Sequence, residues 1–191
     1  MIKTGIFGGS FNPIHNGHIS LARQLKEKAG LDEVWLMVSP QNPMKRQADL
    51  LSDEARLQIA RLALEHETGI IACDYEMHLP KPSYTWLTLQ ALSRDYPDRQ
   101  FVLMIGGDNW AIFNRWFHAD DILQNYQVVV YPRRNGLPVR KSLPEGVTIV
   151  EAELLDVSST EIRQRIRESR SIQGLVPPSV AAFIKQEGYY V

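Results

Sequence analysis

The stretch Gly8-Gly9-Ser10-Phe11-Asn12-Pro13-Ile14-His15-Asn16-Gly17-His18 constrains this chain more than any other. The apolar run Thr4-Gly5-Ile6-Phe7 leads into it, and a helical pattern with Leu21, Leu25 and Ala29 on one stripe follows. That order reads as strand, glycine-rich turn, helix N-terminus. Gly8 and Gly9 lack a Cβ, so a ligand can approach the backbone closely and a positive φ costs little. Pro13 stiffens the turn and supplies no N–H. His15 and His18, three residues apart, share a face at the helix start. Free N–H groups and the positive end of the helix dipole attract phosphate there, and two imidazoles beside them can donate to phosphate oxygens. The pattern meets neither the dinucleotide fingerprint G-x-G-x-x-G nor the P-loop, since no Gly-Lys-Ser/Thr closes it. A surface histidine pair capping a first turn is the plainer alternative. The combination of strand, double glycine and His-x-Gly-His favours phosphate binding.

These residues resemble the signature of the nucleotidylyltransferase superfamily of α/β phosphodiesterases. Its members share an H-x-G-H element and join a nucleoside triphosphate to a phosphorylated acceptor, releasing pyrophosphate.

Length and composition set the outer limits. With 191 residues, 44% of them hydrophobic and 23% charged, the chain can build one compact α/β domain over 1–191. Lys+Arg 21 against Asp+Glu 22 provides no basic field for non-specific nucleic-acid or membrane binding. The one cysteine, Cys73, excludes an internal disulfide and a cysteine-rich zinc site, and its apolar run (Gly69-Ile70-Ile71-Ala72-Cys73) reads as a buried, inert thiol. No apolar segment has the length needed to cross a bilayer and none resembles a cleaved leader, so a cytoplasmic location is expected.

Further along the chain, near-continuous apolar runs alternate with helical patterns, as a parallel sheet covered on both faces requires. Glu33–Val38 is a strand that ends in the loop Ser39–Arg46, where Lys45 and Arg46 suit an anionic ligand, because ligands bind beyond the carboxyl ends of strands in open α/β sheets. Ser52 caps a helix with Asp53 and Glu54 in its first turn, Leu57, Ala60 and Leu64 as its stripe, and Arg56 and Arg61 in solvent. After the strand Ile70–Cys73, Ser83 is the expected cap of a helix beginning Ser83-Tyr84-Thr85-Trp86. Gln100–Ile105, the most apolar run, is the expected centre of the sheet; it feeds Gly106-Gly107-Asp108, where the carboxylate can meet ribose hydroxyls or a metal-bound water, or can cap a helix. Phe113, Trp116 and Phe117 suit core packing, and Trp116 can also stack on a flat heterocycle. The strand Tyr126–Tyr131 precedes Arg133-Arg134, a fork for phosphate or carboxylate, in a segment up to Gly146 that reads as mobile. A strand at Gly146–Val150 follows. In Val157-Ser158-Ser159-Thr160-Glu161-Ile162-Arg163, Ser158 and Glu161 match a capping box, whereas three consecutive hydroxyls followed by Arg163 suit a triphosphate. Pro177-Pro178 opens a final helix, and Tyr189-Tyr190-Val191 reads as a tail or a strand.

Over nearly its whole length the chain is similar to the bacterial nicotinic acid mononucleotide adenylyltransferases within that superfamily. The similarity rests on Gly8–His18, Asn42-Pro43-Met44-Lys45, Ser83-Tyr84-Thr85, Gly106-Gly107-Asp108, Trp116, Arg133-Arg134-Asn135-Gly136 and Val157–Arg163. It implies a Rossmann-like, doubly wound parallel sheet with a small helical C-terminal subregion. It also implies that Gly8, Gly9, Ser10, Phe11, His15 and His18 hold ATP phosphates beside Ser159, Thr160 and Arg163. Gly106 and Asp108 then meet the adenosine portion, and Thr85, Trp116 and Arg134 the pyridine mononucleotide, with Lys45 near its phosphate. The implied reaction is direct in-line attack of the mononucleotide phosphate on ATP in NAD biosynthesis, with His15 and His18 as catalytic groups, Mg²⁺ accompanying ATP and no dedicated metal cage. Implied partners are the two small-molecule substrates, with neither nucleic acid nor membrane; a homo-oligomer is left open. Two residues depart from the family's usual pattern, Met44 where histidine is frequent and Phe117 where a hydroxylated aromatic is frequent. A different acceptor within the superfamily, such as pantetheine phosphate, and a non-catalytic nucleotide sensor are the rival readings.

Overall fold

The structure, a computed structural model, describes residues 1–40, 49–133 and 143–191. Six parallel strands, β1 (Ile2–Gly9), β2 (Glu33–Val38), β3 (Ile70–Cys73), β4 (Arg99–Gly106), β5 (Gln127–Tyr131) and β6 (Val147–Ile149), form one sheet in the order β3-β2-β1-β4-β5-β6. The chain winds from β1 to one edge, then returns to the middle and winds to the other. The switch falls between β1 and β4, where Gly5 faces Val102 and Phe7 faces Met104 across the ladder. The expected central position of β4 is therefore met, and β1 shares it.

The near-continuous apolar runs have a simple cause. Successive strand residues point to opposite faces, and both faces are covered. Phe7, Leu36, Val38, Val102, Met104 and Val129 pack under α1 (Asn16–Lys28), α2 (Asp53–Leu64), α6 (Ser159–Arg167) and α7 (Pro178–Glu187). Their neighbours Ile6, Trp35, Met37, Leu103, Ile105 and Val128 pack under α3 (Thr85–Asp95), the short α4 (Gly107–Ala111) and α5 (Ala119–Asn125). The architecture is a doubly wound α/β sheet with α6 and α7 as the helical C-terminal portion.

Most expected helices form where the sequence places them. Ser52 Oγ accepts from Ala55 N–H, and Leu57, Ala60 and Leu64 are buried along α2. Three local expectations are corrected. Ser83 does not cap α3: Tyr84 occupies the cap position, without a side-chain bond. The capping box at α6 is half formed, because Ser158 Oγ accepts from Glu161 N–H while the Glu161 carboxylate turns to Arg165 at 2.9 Å. Arg56 is fully buried rather than solvated, because four protein oxygens receive its guanidinium. Burial pulls its pKa down, and Asp53 opposes that.

Tyr190 is neither tail nor strand. Its ring is buried and its hydroxyl donates to Asn12 Oδ1 at 2.8 Å, which ties the end of the chain to the loop after β1. Cys73 is partly buried, and burial pushes its thiol up to about 11, in keeping with an inert side chain. Among the described residues no helix is long and apolar enough to cross a membrane.

Candidate active site

Strand order alone locates a crevice, since the βα loops diverge beyond the carboxyl ends of β1 and β4. A cleft of about 630 Å³ opens there. Its floor is Phe7 to Asn12 from β1 and the following loop; one wall is His15, Gly17 and His18 from the start of α1. The opposite wall is Val157 to Thr160 with Arg163, and Asp108 and Arg133 close one end. His18 and Thr160, 142 positions apart by number (160 − 18), thus face one space.

The two glycines do not make a left-handed turn, and at Gly9 a Cβ would lie 3.0 Å from the Phe11 ring. Gly8 and Gly9 are the last residues of β1, and neither has a positive φ. The left-handed residue is Phe11, at φ 44°. A side chain in that region costs on the order of 1–3 kcal/mol and persists only where its surroundings over-determine it. Here they do. The Phe11 ring is buried against Phe7 (5.8 Å) and His18 (5.0 Å). Next along the chain, Asn12 is held at both ends of its amide, donating to Asp49 C=O at 2.6 Å and accepting from Leu51 N–H at 3.2 Å.

A Cβ at Gly8 would meet no atom within 4 Å, and Gly8 is part of the cleft floor. Gly8→Ala is therefore expected to leave Tm within about 1 °C, as surface changes do, while raising the KM for ATP by about tenfold, because the methyl occupies ligand space. Thermal melts alongside steady-state kinetics check it; an unchanged KM refutes a close approach at Gly8.

The glycine of His-x-Gly-His has a packing cause. A Cβ at Gly17 would lie 2.9 Å from Val157 Cγ1 and 3.0 Å from the His15 ring. Its absence lets α1 approach the segment that carries the hydroxyls. The two imidazoles stack at 3.7 Å. His18 Nδ1 accepts the backbone N–H of His15 at 3.2 Å. An amide nitrogen can only donate, so the proton of neutral His18 sits on Nε2, across the ring from the backbone. His18 also lines the cleft. The helix N-terminus itself offers less than the sequence suggests: Asn16 N–H is taken by Leu175 C=O at 2.9 Å and His18 N–H by His15 C=O at 3.0 Å.

The hydroxyls of the second motif divide their tasks. Ser158 caps α6, Ser159 Oγ donates to Pro13 C=O at 2.8 Å, and Thr160 is exposed in the cleft. Arg163 Nη1 donates to Asn12 C=O at 2.8 Å, which fastens α6 to the β1 loop, and Arg163 still lines the cleft. At the far end Arg133 Nε reaches Asp108 Oδ1 at 3.3 Å, both side chains about half exposed. A Cβ at Gly106 would intrude on this pair, at 2.6 Å from Asp108 Oδ1 and 2.7 Å from Arg133 Nε. Beneath them burial pushes the Tyr131 hydroxyl up to about 12, so it stays protonated.

Of the expected site residues, Gly8, Gly9, Ser10, Phe11, His15, His18, Asp108, Ser159, Thr160 and Arg163 line this cleft. Gly106 lies immediately behind Asp108 and is not itself in the lining. Thr85 and Trp116 are not in it either: Thr85 is the first residue of α3, and Trp116 packs on Phe113 at 5.2 Å. Phe117 packs at a tilt on Tyr84, ring centroids 4.8 Å apart, beside Thr85. Lys45 and Arg134, like Met44, lie outside the described residues. Sequence reasoning missed Arg56 and Tyr190, which tie down the loop after β1, and the role of Asn12 as an anchor of the same loop; no periodic or motif signal marked Arg56 and Tyr190 as buried.

A family model described as cytidylyltransferase-like matches residues 6–165. A protein of Bacteroides fragilis (strain YCH46) named probable nicotinate-nucleotide adenylyltransferase is 48% identical over 186 residues, covering 97% of this chain and 92% of that protein. A Flavobacterium johnsoniae protein of the same name is 40% identical over 192 residues, covering 99% of each. Among solved structures, the Plasmodium falciparum nicotinic acid mononucleotide adenylyltransferase complexed with NaAD matches with a TM-score of 0.82 at 17% identity, over 100% of this chain and 98% of that one. That likeness speaks to the fold alone. The similarity to curated relatives runs nearly the whole length of the chain, and so this chain belongs to the nicotinate-nucleotide adenylyltransferase family of cytidylyltransferase-like proteins.

Proposed function

We propose that this chain, as one domain, transfers the adenylyl group of ATP to nicotinic acid mononucleotide, giving the dinucleotide and pyrophosphate. The observation that carries this reading is the convergence of His18, Thr160 and Arg163 on one cleft at the β1–β4 switch, in a chain whose relatives carry that activity in their names.

The chemistry asks little of the protein beyond position and charge. The acceptor phosphate is ionised at neutral pH, so no general base is required. Its oxygen forms a bond to the α-phosphorus, the bond from that phosphorus to the bridging oxygen breaks, and the electron pair leaves with pyrophosphate. Positioning and electrostatic stabilisation supply the rate in transfers of this kind. His18 Nε2–H donates to the α-phosphate, where negative charge is redistributed, and His15 holds the His18 ring by stacking. Thr160, Arg163 and the Gly8–Phe11 backbone hold the polyphosphate. Gly106 and Asp108 stand at the adenosine end. Thr85, Trp116, Arg134 and Lys45 serve the pyridine mononucleotide.

Among the described residues no group of three or more His, Cys, Asp or Glu is arranged to hold a metal ion. The acidic groups of the cleft, Asp49 and Asp108, are each engaged by an arginine. A magnesium ion arriving with ATP would have Asp108 and Asp49 as the nearest cleft carboxylates, and it would supply charge neutralisation for the leaving pyrophosphate.

Pyrophosphate release from ATP or CTP with nicotinic acid mononucleotide, nicotinamide mononucleotide and phosphopantetheine in turn tests the assignment. Turnover is expected with ATP and preferentially with nicotinic acid mononucleotide. Preference for phosphopantetheine or CTP moves the chain to another reaction of the superfamily. No turnover with any pair, despite ATP binding, marks a nucleotide sensor.

A further inference from the structure

Arg56 is one helical turn into α2, is absent from the cleft lining and has no solvent-accessible side-chain surface. Yet its guanidinium reaches the two strand ends that build the cleft floor. Nη1 donates to Ser10 C=O at 2.7 Å and to Ser39 C=O at 2.9 Å, Nε to Leu51 C=O at 3.1 Å, and Nη2 to Asp53 Oδ1 at 2.5 Å. Ser10 and Ser39 both line the cleft, at the ends of β1 and β2. A buried guanidinium of this kind is expensive unless its donors are satisfied, and here backbone carbonyls receive most of them.

The consequence follows from peptide geometry. The Ser10–Phe11 peptide is trans, since the cis bonds in the structure are Asn12–Pro13 and Lys81–Pro82. In a planar trans peptide the C=O and the following N–H point in opposite directions. With Ser10 C=O drawn to the buried Arg56, the Phe11 N–H is turned the other way, and Phe11 itself lines the cleft. No hydrogen bond from Phe11 N–H occurs among the described residues. The same pull takes Ser39 C=O, a partial negative charge, out of the cleft, and the next residue, Pro40, has no N–H to offer. The left-handed Phe11 stands between this grip on Ser10 C=O and the Asn12 bonds that follow it.

We propose that Arg56 is a positioning residue for polyphosphate capture: its buried guanidinium holds the Ser10 and Ser39 carbonyls away from the cleft and thereby presents the Phe11 N–H to nucleotide phosphate. The inference rests on the cleft being the ATP site, as proposed above. Arg56 touches no substrate and acts through the peptide plane.

Arg56→Lys is the direct test, because lysine keeps the charge but cannot span carbonyls from three segments. The expected result is a rise of about 10–100-fold in the KM for ATP, the loss that follows when one charge-assisted hydrogen bond to the ligand goes, with the KM for the acceptor changed less than about threefold. A merely structural arginine would lower Tm and move both constants together, or neither. Amide ¹⁵N spectra of the full chain titrated with inorganic pyrophosphate provide a second readout. The Phe11 resonance shifts in the wild type and fails to shift in Arg56→Lys. If Arg56→Lys does not fold, the wild-type titration decides alone, and a Phe11 amide indifferent to pyrophosphate overturns the proposal. A folded Arg56→Lys with wild-type ATP kinetics overturns it as well. Should the wild type make no dinucleotide, the functional reading falls, while the pyrophosphate titration still judges Arg56.

Discussion

Replacing His18 with alanine should lower kcat by about 10²–10³-fold, the range seen when one preorganised donor to a developing negative charge is removed. The KM for ATP should change far less, since a bond that strengthens in the transition state is felt chiefly in kcat. The alanine variant also loses the Nδ1 that accepts the His15 N–H and the ring stacked on His15. Two further variants separate these effects. Asparagine places an acceptor near the Nδ1 position and no donor at Nε2, so His18→Asn should keep the first turn of α1 and still lose activity to a similar extent. Glutamine places a donor near Nε2, so His18→Gln should recover part of the rate. Single-turnover measurements with saturating ATP and acceptor, with a thermal melt for each variant, read the outcome. A kcat within about threefold of wild type in both the alanine and asparagine variants removes His18 from the chemistry.

Trp110→Ala has the largest expected effect on stability. Trp110 is the largest fully buried side chain, 1% exposed, in α4 directly after the central strand β4. It packs on Phe113 at 5.1 Å, and Phe113 in turn on Trp116. Truncating a buried aromatic to alanine costs about 3–5 kcal/mol through lost transfer free energy and the cavity that remains. At about 2–4 °C per kcal/mol for a chain of this size, Tm should fall by about 6–20 °C in calorimetry. The loss should carry to function below the melting point, because α4 holds Asp108 at the end of the cleft; the KM for ATP should rise even where the variant is folded. A Tm drop below about 2 °C would show that the aromatic stack does not support this corner of the sheet.

Much of the site was legible because its residues are close in sequence. His15 caps α1 and His18 lies in its first turn, three residues apart, and their rings stack. The hydroxyls and Arg163 likewise fall within a turn and a half of α6. What escaped was the support from beneath. Arg56 reads as one more polar residue on the helix Asp53–Leu64, and burial patterns give an arginine to solvent by default. The carbonyls that bury it come from residues 46, 17 and 5 positions away, and only the packed sheet brings them together. Tyr190 binds Asn12 across 178 positions, a pairing without any local pattern. Ser83 was a sound cap by residue type, but a cap requires the backbone to turn at that residue, and it turns at Tyr84.

By itself the sequence determined the layered architecture and the chemistry of the cleft walls. Apolar runs on both faces of the inner strands call for a sheet covered twice, and His-x-Gly-His and Ser-Ser-Thr carry their donors at helix starts. Tertiary structure alone decided which oxygen of the floor is hidden and that Gly17 is small because Val157 lies 2.9 Å from where its Cβ would be. Periodicity fixes the face on which a side chain lies; it carries no information on which distant carbonyl or ring that face will meet, and those meetings set the polarity of the site.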